Sequence, residues 1–203
     1  MKAVLWIIGS IGVIVVAMVL LFIYEMTPNA KMETKAREIG EDYIHKHFDG
    51  QAEVYDVLYD NMGNFEFDYA AKVTHTSTGV DFLIYETGDS RVVKDTYASS
   101  YYESQIERGL EPFVKNMEGV VSHMVHISDV PGKYQGTDVL PELNDLNLVP
   151  NIIIDLERGA KADDQETMED LFVFMKEKLQ IEHGGGRFVY DPSSGDEMLQ
   201  MGY

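Results

Sequence analysis

The chain has 203 residues and no cysteine, and its 16 Lys and Arg stand against 35 Asp and Glu, a formal net charge of −19. That balance argues against a nucleic-acid partner, because phosphate contacts need clustered Lys and Arg to release counterions, and against a domain lying flat on an anionic lipid surface. The missing cysteine excludes disulfides, thiol nucleophiles and thiolate metal sites, so any exported domain must be held by its core alone.

The first predicted element runs from Ala3 to Tyr24, AVLWIIGSIGVIVVAMVLLFIY, without a charge between Lys2 and Glu25. At about 1.5 Å per residue a helix of this length reaches roughly 33 Å, enough to cross a hydrocarbon core of about 30 Å. A cleaved signal peptide would have a shorter apolar core and small residues at its exit, whereas this run leaves through Phe22-Ile23-Tyr24-Glu25-Met26. A lipoprotein signal would need a cysteine. A buried core helix would keep a polar face, which this segment lacks. Residues 1–26 therefore read as an uncleaved transmembrane anchor, with Trp6 and Tyr24 placed as interfacial aromatics. Lys31, Lys35 and Arg37 follow the anchor and would favour a cytoplasmic domain by the positive-inside count. Long downstream domains, however, often cross regardless of charge. The favoured orientation puts the amino terminus in the cytoplasm and the domain outside the cell membrane.

Residues 27–118 read as one α+β unit. Thr27 as N-cap and Pro28 at the first helical position open a helix to about Phe48, with Ala36, Ile39, Tyr43, Ile44 and Phe48 on one stripe. Strand signals follow at Val54–Tyr59, Phe65–Thr74, Val80–Glu86 and Arg91–Thr96. They are separated by Asp60-Asn61-Met62-Gly63-Asn64, Thr76-Ser77-Thr78-Gly79 and Thr87-Gly88-Asp89-Ser90. In the second of them Phe65, Phe67, Tyr69, Ala71 and Val73 alternate with polar residues, the period of a half-buried antiparallel strand. A helix from about Tyr97 to Asn116 closes the unit, and Pro112 inside it predicts a kink. The order α-β-β-β-β-α matches a cystatin-like or NTF2-like roll.

Residues 119–203 read as a smaller β-β-α-β unit. Its predicted elements are strands Val120–Ile127 and Asn151–Leu156, a helix from Asp163-Asp164 to about Gln180, and a strand Arg187–Tyr190. Ser128–Pro150 reads as an irregular connection, and Gly184-Gly185-Gly186 as a flexible exit from the helix.

No group of residues carries a reaction. His45 and His47 are two apart on a helix and point about 200° apart, and His123 and His126 fall on opposite faces of a strand. His75 and His183 sit at element ends, so no metal is expected. The glycine run follows a helix, whereas a phosphate loop precedes one. Asp191–Glu197 lacks calcium-loop spacing. Asp56 and Asp60 are unremarkable in so acidic a chain. The tyrosines Tyr55, Tyr59, Tyr69, Tyr85, Tyr97, Tyr101 and Tyr102 suit either a core or the rim of a groove. No catalytic residue and no cofactor is assigned.

The anchor, the T-P-x-A helix start, Lys72-Val73-Thr74, the passage from Asp95-Thr96-Tyr97 to Gln105-Ile106, and Ile152-Ile153-Ile154 together resemble the YfjL-like family. These are single-anchor membrane proteins of Gram-positive bacteria with an α+β outer domain. The resemblance implies a bacterial membrane location and transfers no activity. The expectation is a membrane-tethered, non-catalytic interaction module. Its partners would be the lipid bilayer, through residues 3–24, and an unidentified envelope protein. The alternatives are an envelope enzyme acting on wall or peptide substrates, and a domain facing the cytoplasm.

Overall fold

A computed structural model describes residues 2–88, 90–128 and 130–203, so Asp89 of the predicted turn lies outside the described residues. The chain is α+β, with four α-helices and two four-stranded sheets among the described residues. Helix α1 spans Lys2–Met26. Residues 12–23 and Met26 are exposed; the side chains of Trp6 and Tyr24 are outside those described. Among the described residues no helix is long and apolar enough to cross a membrane.

Helix α2, Ala30–His47, starts later than the sequence predicts. Asn29, not Thr27, is its N-cap, accepting a hydrogen bond from the Lys31 amide at 3.0 Å. Thr27 instead donates to the Ile23 carbonyl at 2.7 Å, closing α1. Pro28 explains the shift, since the residue before a proline is pushed out of helical backbone. α2 lies across the antiparallel meander β1 (Ala52–Tyr59), β2 (Tyr69–His75), β3 (Asp81–Glu86) and β4 (Val93–Asp95). Ile44, Phe48, Val73, Phe82, Ile84 and Tyr97 form the core between them. Gly40 sets the approach: a Cβ there would lie 2.5 Å from that of Ala71, so only glycine lets helix and sheet meet this closely.

The strand predicted from Phe65 pairs only from Tyr69. Its first four residues are diverted because the buried Asp60 carboxylate accepts the amides of Met62 at 3.1 Å and Phe65 at 2.7 Å. Burial works to raise the Asp60 pKa, but the amides of Phe65, Met62, Asn64 and Gly63 outweigh it and leave the carboxyl below its ordinary value.

The second sheet has the order β5 (Val120–His126), β6 (Asn151–Leu156), β7 (Gly185–Val189) and β8 (Leu199–Gly202). Its β6–β7 pair is parallel, joined through helix α4 (Asp164–Leu179), and the other pairs are antiparallel. β8 was not anticipated. Helix α3, Tyr97–Val114, is assigned by sequence to the first unit. Only its first turn reaches that core; Tyr102, Ile106, Leu110 and Val114 pack beside α4 under the second sheet. Tyr101 and Leu140 touch both cores.

The glycine run is not a flexible exit. Gly185 and Gly186 belong to β7, and Gly186 is buried where a Cβ would collide with the Met168 sulfur and the Phe172 ring. The predicted connection includes Asp129, which lies outside the described residues; its described part, 130–150, is pinned by hydrogen bonds to other elements. Gln135 bridges the backbone of Asp95, donating to its carbonyl at 2.8 Å and accepting from its amide at 2.9 Å. The Asp95 carboxylate accepts from Gly136 N and the Tyr43 hydroxyl, both at 2.8 Å.

Candidate functional site: a cleft beside the α1–α2 junction

A cleft of about 600 Å³ opens between α2, the β1–β2 connection and the β3–β4 turn. α2 contributes Met32, Lys35, Ala36 and Ile39; the connection contributes Phe65 to Tyr69; β3 and its turn contribute Ile84 to Gly88 and Arg91. The β1–β2 connection reaches the cleft because Asp60 folds it back, as described above.

The floor is aromatic. Phe65 and Phe67 stack with centroids 5.0 Å apart, and Phe67 lies 4.5 Å from Tyr85. Tyr69 stacks on Tyr59 at 4.8 Å, and its hydroxyl accepts the Asn29 amide at 2.8 Å, tying the cleft to the start of α2. The rim is charged and paired. Lys35 meets Glu86 at 2.6 Å, and Lys94 meets Glu66 at 3.0 Å. Glu66 also accepts the Tyr85 hydroxyl at 2.6 Å. The Tyr85 bond first, and Lys94 second, hold the Glu66 carboxyl below its ordinary range. Burial and Glu66 push Tyr85 up. At neutral pH the pair is thus a fixed donor on a fixed carboxylate. This chemistry suits binding an apolar or aromatic group flanked by both signs of charge, in keeping with aromatic residues as anchors at interfaces.

The residues weighed from sequence scatter. Tyr69 and Tyr85 line the cleft, whereas Tyr97 and Tyr102 are core, and burial raises Tyr102 to about 12. Tyr55 lies on β1 under the Lys72 ammonium, and Asp56 pairs with Lys72 at 3.1 Å. His45 and His183 are exposed, and His47 packs on Tyr43 at 4.3 Å. His75 is only 2% exposed at the seam of the two halves. Its Nδ1 meets the Ser77 and Thr78 hydroxyls, and its Nε2 lies 3.9 Å from Asp138. His123 and His126 both turn out to sit beside α3. His126 approaches Glu103 at 3.4 Å, and His123 approaches the Glu107 carbonyl at 3.5 Å. Among the described residues no three His, Asp or Glu side chains are grouped as metal ligands. In the 191–197 turn, Asp191 accepts the Ser193 amide at 2.7 Å and Asp196 accepts the Ala160 amide at 2.8 Å.

Two arrangements were missed from sequence. Glu103 and Glu107, one turn apart on α3, accept the amides of Ile127 at 2.8 Å and Val125 at 3.0 Å, and so cover the outer edge of β5. The i, i+4 carboxylates facing an edge strand were the available signal. The second is the pair Arg158–Asp164, bidentate at 2.7 and 3.0 Å, which fixes the loop before α4. No protein family, curated protein or solved structure matches this chain.

Proposed function

We propose that the chain is a single-pass membrane protein of the cell envelope. Residues 3–24 would anchor it in the lipid bilayer, with the amino terminus cytoplasmic and the acidic α+β domain outside as a non-catalytic interaction module. The observation that carries this reading is the exposure of every α1 residue from Gly12 to Ile23, while α2, α3 and α4 each bury a face. A helix apolar all round needs a nonpolar surrounding, and hydrocarbon provides it. The resemblance to YfjL-like proteins fits a bacterial membrane. α2 across a four-stranded meander fits a cystatin-like or NTF2-like roll. The cleft is the recognition surface in this reading, because its polar side chains are arranged to hold charge and not to move protons.

The test is in situ photocrosslinking of the full-length protein. A crosslinking residue at exposed Arg91, on the cleft wall, is compared with one at Val139, which is 80% exposed and outside the cleft. A discrete protein adduct from position 91 and none from position 139 is expected. Equal labelling from both, or none from either, would sink the recognition role.

A further inference from the structure

We infer that the β1–β2 connection is a second membrane contact, with Met62 and Phe65 seated in the interfacial layer of the bilayer that holds α1. This inference rests on reading α1 as the anchor. The apolar run ends at Tyr24, and α1 continues to Met26. Two further residues of helix add about 3 Å, whereas the interfacial layer outside the hydrocarbon is roughly 5–8 Å deep on each side. Met26 therefore lies within that layer, and the connection touches it: the Asn61 side-chain amide meets the Met26 sulfur at 2.7 Å.

The neighbouring side chains are those an interface accepts. Met62 is 75% exposed and Phe65 52% exposed, and Met26 and Met32 beside the junction are also exposed. Four large apolar groups at one end of so acidic a domain are hard to explain as a solvated surface. Of the carboxylates on the connection, Asp60 is turned inward onto the loop amides and Glu66 is paired with Lys94, while the exposed Asp68 lines the cleft. The contact is apolar and needs no anionic lipid, so it is compatible with the acidity of the rest of the domain. The loop is also preshaped by Asp60 and by the Phe65–Phe67 stack, so little ordering accompanies insertion. Its consequence is orientation: two points of attachment place the cleft, whose wall includes Phe65, next to the lipid surface.

The test uses the full chain reconstituted in phosphatidylcholine vesicles whose acyl chains carry bromine, a short-range quencher of tryptophan. The natural protein has one tryptophan, Trp6, and reports on the anchor. In a Trp6→Phe background, single tryptophans replace Met62, Phe65 or Val139. The expected result is loss of emission at 6, 62 and 65 and none at 139, relative to unbrominated vesicles. Quenching at 6 with positions 62 and 65 as bright as 139 overturns the second contact and leaves the anchor standing. An unquenched Trp6 overturns the anchor, and the loop contact with it. Met62 is 75% exposed and belongs to neither core, so its replacement keeps the test valid if Phe65→Trp disturbs the stack.

Discussion

Replacing Gly186 with alanine tests whether the glycine run is a joint or a packing device. The added Cβ would collide with the Met168 sulfur and lie 3.0 and 3.3 Å from two ring carbons of Phe172. Both residues are buried on α4, so the helix must shift outward or its side chains must leave their rotamers. Overpacking of this kind destabilises by about 1–3 kcal/mol, and alanine returns roughly 0.5–1 kcal/mol by restricting the unfolded chain. Gly185→Ala is the internal control. Its Cβ would meet only Asn151 Oδ1 at 3.3 Å and the Met201 carbonyl at 3.5 Å, and its backbone is ordinary extended strand. For a domain of this size about 1 kcal/mol moves the melting temperature by roughly 2–4 °C. In thermal melts of the detergent-solubilised full chain, followed by far-ultraviolet circular dichroism, Gly186→Ala is expected to melt several degrees below Gly185→Ala. If Gly186→Ala melts at or above its neighbour, α4 does not pack on β7 as described.

Asp164 is 4% exposed and Arg158 17%, so Asp164→Asn strands a largely buried guanidinium and should cost about 3 kcal/mol in denaturant titration. Burial works to raise the Asp164 pKa, but Arg158, the Lys161 amide and Tyr190 outweigh it and lower it. The stability this group contributes is therefore present above its ordinary value and disappears as pH falls below about 4. His75 gives the opposite protonation case: burial lowers its pKa against the weaker pull of Asp138. The folded state refuses a proton that the unfolded state accepts, so stability should fall as pH drops through about 6.5. His75→Gln should flatten that slope between pH 7 and 5, and an unchanged slope would remove His75 as its source.

How far the fold could be read ahead depended on whether a pattern was local. Asn151–Leu156 is a compact strand signal with three consecutive isoleucines within six positions, and β6 spans those residues. The α4 stripe of Met168, Leu171, Phe172, Met175 and Leu179 is local in the same sense; the first four are buried, and Leu179 packs half-buried against the same core. Gly40 was invisible to an apolar stripe because its role is to have no side chain. Phe65 and Phe67 alternate like a strand, yet Asp60, a distant-looking turn residue, captures their backbone. The cleft was the least legible feature. Its walls come from three separated segments around Met32, Phe65 and Ile84, which only the folded sheet brings together. Tyrosine composition could not separate Tyr85 on the cleft from Tyr102 in the core, since one side chain serves both roles. The connection over 130–150 is irregular, as the sequence predicts, and it is held by Asp95 and Tyr102 on other elements, which no local pattern shows: Gly136 N donates to the Asp95 carboxylate, and the Tyr102 hydroxyl donates to the Pro141 carbonyl at 2.9 Å.

The tether itself is tested most directly by alkaline carbonate extraction of membranes from cells making the full chain or a chain lacking residues 1–26. The full chain should remain in the membrane pellet, as an integral protein does, and the shortened chain should appear in the supernatant. Release of the full chain by carbonate would contradict the assignment of α1 as a bilayer anchor and, with it, the placement of the cleft at a membrane surface.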